Sequence, residues 1–152
     1  MKIVVGEGSC GIAAGAAKVY SAIEKLIGST DSELTVTGCI GMCFLEPIVD
    51  IYDNGGLKKR LVKVQPEDAE KIIEYVNGSE NVVNDLEISD DDKLFLEKQT
   101  RIALRHCGII NPEKIDEYTA DDGYKALEKV LKTMSPEEVI EEIKISGLAG
   151  RG

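Results

Sequence analysis

Two short β-branched runs, residues 3–5 and 34–37, each lead straight into a glycine-bearing loop that carries cysteine. The first loop reads Gly6-Glu7-Gly8-Ser9-Cys10-Gly11 and the second Gly38-Cys39-Ile40-Gly41-Met42-Cys43. This coupling of strand end, glycine and thiol constrains the chain more than any other feature. Glycine lets a backbone curl around a compact object and turn its N–H groups inward. Thiolates held in such loops are the ligands that an iron–sulfur cluster uses. The four cysteines could form two disulfides, but a reducing compartment opposes that, and the spacing points to metal or redox chemistry.

The remaining pattern alternates between strand and helix. After the strand at residues 2–5, positions 13–27 carry Ala16, Val19, Tyr20, Ile23, Leu26 and Ile27 at helical spacing, ended by Gly28-Ser29-Thr30-Asp31. Residues 34–37 and 48–52 read as strands, and Asp53-Asn54-Gly55-Gly56 signals a hairpin whose returning strand is expected at 61–64. Pro66 opens a helix that buries Ala69, Ile72, Ile73 and Val76 and closes at Asn77-Gly78. The order β-α-β-β-β-α predicts a mixed sheet with helices packed on it.

Residues 79–93 are rich in acidic side chains (Glu80, Asp85, Glu87, Asp90, Asp91 and Asp92) and read as a solvated linker without the spacing of a calcium loop. Beyond it the pattern is helical. Residues 94–106 form one expected helix, punctuated by Cys107-Gly108, and a second holds Tyr124, Leu127, Val130 and Leu131. Ser135-Pro136-Glu137-Glu138 is a capping box opening a third, with Val139, Ile140 and Ile143 as its apolar stripe. The glycine-rich end, Gly147 to Gly152, is expected to be a truncation. The domain division is therefore 1–78, a linker at 79–93, and a helical segment at 94–152.

Bulk properties exclude several classes. A net charge of −10 argues against nucleic acid, and Lys58-Lys59-Arg60 reads as decoration of an exposed strand. The apolar run at the start is too short for a signal peptide, and no stretch reaches the length of a membrane span, so a soluble cytoplasmic protein is expected. Hydrophobic residues make up 43% of the chain and aromatics only 5%, so its core is aliphatic.

The candidate metal ligands are Cys10, Cys39 and Cys43. Gly38 and Gly41 permit a tight loop that turns both of its sulfurs toward one centre, and Cys10 falls at a helix start, where dipole and free N–H groups favour thiolate. A two-iron cluster uses four protein ligands. The fourth is left open among Ser9, Glu7, Cys107 and a residue of a partner. Cys107 also reads as a small buried hydrophobe, and His106 beside it as a residue complementing a helix C-terminus rather than half of a catalytic dyad.

The segment from Gly8 to Ala16, with Gly38-Cys39-Ile40-Gly41-Met42-Cys43 and Glu46-Pro47, resembles the thioredoxin-like [2Fe-2S] ferredoxin domain. That domain occurs in respiratory Complex I and fused to flavin-binding subunits of NAD(P)-linked, often bifurcating, hydrogenases. Arg101-Ile102-Ala103-Leu104-Arg105-His106-Cys107-Gly108, the run from Asn111 to Tyr118, Gly123-Tyr124-Lys125-Ala126-Leu127 and the end from Ser146 to Gly152 resemble the entry to the NADH-oxidising flavin subunit. The resemblance implies an α/β thioredoxin-like domain followed by a small helical segment. It implies a [2Fe-2S] cluster on Cys10, Cys39 and Cys43, and other iron–sulfur and flavin subunits as partners. FMN and NAD(P) are expected only in a longer parent chain, since this one ends inside the opening of the loop that would cradle them. Laid on this chain, the family's Cys-x4-Cys…Cys-x3-Cys plan puts its first ligand on Val5, which cannot ligate.

The leading expectation is an electron-relay module, with no catalytic residue of its own. The rivals are a cluster-free docking domain, favoured by Val5, and a thiol–disulfide oxidoreductase, disfavoured because no Cys-x-x-Cys is present.

Overall fold

The computed structural model describes residues 1–150 and divides into two compact units, Met1–Glu113 and Lys114–Gly152. The first contains four strands: β1 (Lys2–Gly6), β2 (Glu33–Thr37), β3 (Val49–Asp53) and β4 (Gly56–Leu61). Its helices are α1 (Ser9–Ala14), α2 (Ala16–Ile27), α3 (Ala69–Val76) and α4 (Asp90–Glu97). The strands lie in the order β2-β1-β3-β4. β1 pairs parallel with β2 from Lys2↔Glu33 to Gly6↔Thr37, and antiparallel with β3, which pairs antiparallel with β4. A parallel pair needs a crossover, which α1 and α2 provide. The β-α-β-β-β-α order predicted from the sequence is the order observed.

The core follows from strand alternation. Ile3 and Val5 of β1 and Val49 and Ile51 of β3 pack against Val19 and Ile23 of α2 and Ile72 and Ile73 of α3. A second cluster, Ile40, Met42, Leu45, Ile48 and Ile88, lies around the second cysteine loop, with Leu96 of α4 against it. Asp50 is buried and takes two hydrogen bonds from the Arg60 guanidinium at 2.8 and 2.7 Å, so its charge is paired.

Several boundaries differ from expectation. The first helix begins at Ser9 and breaks at Gly15, which has φ of 109°. The returning strand starts at Gly56, because the Asn54-Gly55 turn pairs Asp53 directly with Gly56. The helix expected at 94–106 is instead α4, which ends at Glu97.

The acidic stretch at 79–93 lies within the first compact unit. Val83 and Ile88 are buried, Val62 N–H donates to Leu86 O, and Ile88 N–H donates to Arg60 O. The acidic stretch thus lies along β4 as an extra edge segment. The chain from the end of α4 to Glu113 also belongs to the first unit. Thr37 Oγ1 donates to Ile110 O at 2.9 Å, and Asn111 Nδ2 donates to Thr35 Oγ1 at 3.0 Å.

The second unit holds α5 (Ile115–Ala120), α6 (Lys125–Thr133) and α7 (Pro136–Ser146). The capping box forms as the sequence predicts: Glu138 N–H donates to Ser135 Oγ, and Ser135 N–H donates to Glu138 Oε2. Ile115, Leu131, Ile140 and Ile145 are exposed. Among the described residues, no helix is long and apolar enough to cross a membrane.

Candidate metal centre

The parallel pairing of β1 and β2 sends both strand ends to one edge of the sheet, and the two cysteine loops leave from there. Cys10 occupies the first turn of α1, whereas Cys39 and Cys43 flank a tight loop with Gly41 at φ of 91°. The loops touch at Gly8: a Cβ there would stand 2.7 Å from the Cβ of Cys39, so only glycine permits the approach. The sulfurs of Cys10, Cys39 and Cys43 lie within 4.8 Å of one another. The Cys39 and Cys43 sulfurs are 3.6 Å apart, and Gly41 N–H donates to the Cys39 sulfur at 3.2 Å. Cys43 is exposed and Cys10 and Cys39 are partly so, which sets the site at the surface.

The structure therefore gathers the three cysteines singled out in the sequence. Among the described residues, Cys107 does not join the group. Its carbonyl instead accepts a hydrogen bond from Arg101, whose other terminal nitrogen donates to Ile40 O at 2.6 Å, inside the second cysteine loop. Val5, on which the family plan places a ligand, is wholly buried in the aliphatic core.

Sequence reasoning passed over one further side chain. Glu46 is buried, its Oε2 accepts from Ile48 N–H at 2.9 Å, and its Oε1 lies 3.8 Å from the Cys10 sulfur. Burial pushes its carboxyl up, against the pull of the Ile48 N–H and the Cys10 thiol. The Cys10 thiol is also pushed up, first by its hydrogen bond with Cys39 and then by burial. The only signal for Glu46 in the sequence was its place three residues after Cys43, before Pro47.

Chemically, the site is a cluster of soft donors, one of which accepts from the Gly41 backbone N–H, a set suited to a thiophilic metal or an iron–sulfur centre.

No family model matches the chain. It is 60% identical over 55 residues to the NADP-reducing hydrogenase subunit HndC of Solidesulfovibrio fructosivorans, covering 36% of this chain and 11% of that protein. It is 42% identical over 60 residues to an NADH-quinone oxidoreductase subunit from Aquifex aeolicus, covering 40% of this chain and 14% of that protein. The chain thus spans only a small part of the curated relatives it matches. In structure it is similar to a thioredoxin-like [2Fe-2S] ferredoxin from Aquifex aeolicus, with a TM-score of 0.51 and 24% identity over 58% of this chain and 89% of that one. That likeness establishes the expected thioredoxin-like α/β fold.

Proposed function

We propose that this chain is an electron-transfer module that holds a [2Fe-2S] cluster on Cys10, Cys39 and Cys43. The observation that carries this reading is the convergence of three sulfurs from two separate loops within 4.8 Å. The donor set fits the group, because the thiols are soft, clustered, and served by a backbone N–H on the Cys39 sulfur. When bound, such a cluster takes up and releases single electrons.

The protein's own contribution is placement. The glycine loops bring the sulfurs together, Gly41 N–H donates to one of them, and the Ile40 and Met42 cluster lines the buried flank with apolar side chains. The exposed Cys43 leaves one side open to a redox partner. Similarity to subunits of an NADP-reducing hydrogenase and of NADH-quinone oxidoreductase supports a place in an NAD(P)-linked redox complex. The reading assigns it other flavin and iron–sulfur subunits as partners and the cytoplasm as its compartment. The proposal assigns no flavin or nicotinamide site to residues 1–150.

Anaerobic reconstitution of the full chain with ferrous iron and sulfide tests the reading. About two irons and two sulfides per chain, with visible charge-transfer absorption lost in Cys39→Ser and Cys43→Ser, is the expected result. A wild-type chain that stays colourless and iron-free would leave the docking domain as the surviving reading, which the exposed Ile115, Leu131 and Ile145 of the second unit favour.

A further inference from the structure

A two-iron cluster needs a fourth protein donor, and the described residues gather three thiols. The candidates open from sequence give little support. Glu7 and Cys107 lie outside the group, and Ser9 is exposed. Val5 is wholly enclosed by the aliphatic core.

Glu46 also stands outside the three-sulfur group, but it approaches one member of that group. It is a buried carboxylate that approaches the sulfur cluster, with Oε1 3.8 Å from the Cys10 sulfur. Its other oxygen is tied down by Ile48 N–H at 2.9 Å. One oxygen is therefore anchored while the other is presented.

The spacing of the donors forms a pattern. Two donors sharing a tetrahedral metal with bonds of about 2.3 Å stand roughly 3.8 Å apart. The Cys39 and Cys43 sulfurs are 3.6 Å apart, and the Cys10 sulfur and Glu46 Oε1 are 3.8 Å apart. Both separations are close to that of donors on a common metal, while the Cys10 sulfur also lies within 4.8 Å of the other two sulfurs.

The surroundings make room for this carboxylate. A Cβ on Gly6 would lie 3.2 Å from Glu46 Oε2, and one on Gly11 would also lie 3.2 Å from it. The end of β1 and the first turn of α1 thus present bare backbone where the carboxylate sits. Charge agrees as well. Three thiolates and one carboxylate carry the same total charge as four thiolates, so the substitution leaves the cluster's electrostatic balance intact.

Resting on the cluster-binding reading above, we propose that Glu46 is the fourth ligand, its Oε1 pairing with the Cys10 sulfur as Cys43 pairs with Cys39. The centre is then an asymmetric three-thiolate, one-carboxylate site.

The test compares reconstituted wild-type chain with Glu46→Gln and Glu46→Cys, read by ⁵⁷Fe Mössbauer spectroscopy and by the half-life of the visible spectrum after desalting. The wild type is expected to give two distinct iron environments. Glu46→Gln should shorten the half-life by at least about tenfold, since loss of even an outer partner of a ligand costs that much in metal affinity. Glu46→Cys should keep the cluster and merge the two environments into one type. Glu46→Gln matching the wild type in both half-life and Mössbauer parameters overturns the proposal while leaving the cluster reading intact. A wild type without iron and sulfide overturns both. Should Glu46→Gln not fold, electron–nuclear double resonance on reduced wild type labelled with carboxyl-¹³C glutamate decides: a carbon coupling is expected, and its absence refutes the carboxylate ligand.

Discussion

The Arg101 guanidinium donates to the carbonyl oxygen of Ile40 at 2.6 Å, across 61 positions of sequence. A second donation to Cys107 O at 3.1 Å makes Arg101 a clamp between the segment after α4 and the loop that carries Cys39 and Cys43. Charged hydrogen bonds of this kind contribute about 1.5–3 kcal/mol each when protected, and less where water competes. Arg101→Ala should cost about 2 kcal/mol in total and hasten iron loss from the reconstituted chain. Lysine cannot reproduce the planar fork, so Arg101→Lys should rescue only part of either effect. Urea midpoints and bleaching rates measure the two together; unchanged bleaching would show that the clamp does not restrain the loop.

Gly8 meets Cys39 at the closest approach of the two loops. A methyl group there would sit 2.7 Å from Cys39 Cβ and 2.9 Å from its backbone nitrogen. Gly8→Ala must therefore part the loops. Overpacking of this kind costs about 1–3 kcal/mol. Iron per chain after desalting should fall in step with the thermal midpoint; a variant that binds iron as well as the wild type would show that the loops tolerate a wider gap.

Alternation along β1 separates two neighbours by role. Val5 enters the core, whereas Gly6 faces the Glu46 carboxylate. Val5→Cys should leave iron retention unchanged and lower stability by about 1 kcal/mol. Gly6→Cys in the Glu46→Ala background should restore the iron retention that Glu46→Ala loses. Iron content across the four proteins decides, and a gain from Val5→Cys would contradict the assigned faces.

Glu87 ties the acidic stretch to β4 through ion pairs with Lys59 and Lys93. The hydrogen bond from Lys59, and then that from Lys93, hold its carboxyl below the usual value, against partial burial. A carboxylate with a depressed folded-state value stabilises the fold above its unfolded value of about 4.3, and that contribution fades as pH falls through the folded one. Glu87→Gln should cost about 0.5–1 kcal/mol at pH 7. The gap to the wild type should then close on acidification below about pH 4. Denaturant midpoints at pH 7, 5 and 3 follow it; a gap independent of pH would assign the loss to packing.

The strand and helix order was legible because apolar periodicity and glycine punctuation agreed from residue 1 to residue 78. Cys10, Cys39 and Cys43 were legible as a group because each lay in a glycine loop after a strand. Composition hid what followed. Val83 and Ile88 lie among acidic residues, so their burial depends on pairing with β4, a tertiary effect. The β4 sequence, Gly-Leu-Lys-Lys-Arg-Leu, is largely charged, so the expected strand was shifted to the apolar run after it. The contacts of Glu46 and Arg101 were not legible for a related reason. A single glutamate before proline has no periodicity, and only the folded sheet shows what its carboxylate faces.

The parallel alignment of β1 and β2, with Gly6 opposite Thr37, has a practical corollary. A slip of one residue would turn the core faces outward and carry Cys10 away from Cys39. If the centre assembles as proposed, only correctly registered chains can hold it. The brown colour of a preparation would then gauge its properly folded fraction, and misfolded material would reveal itself by being pale.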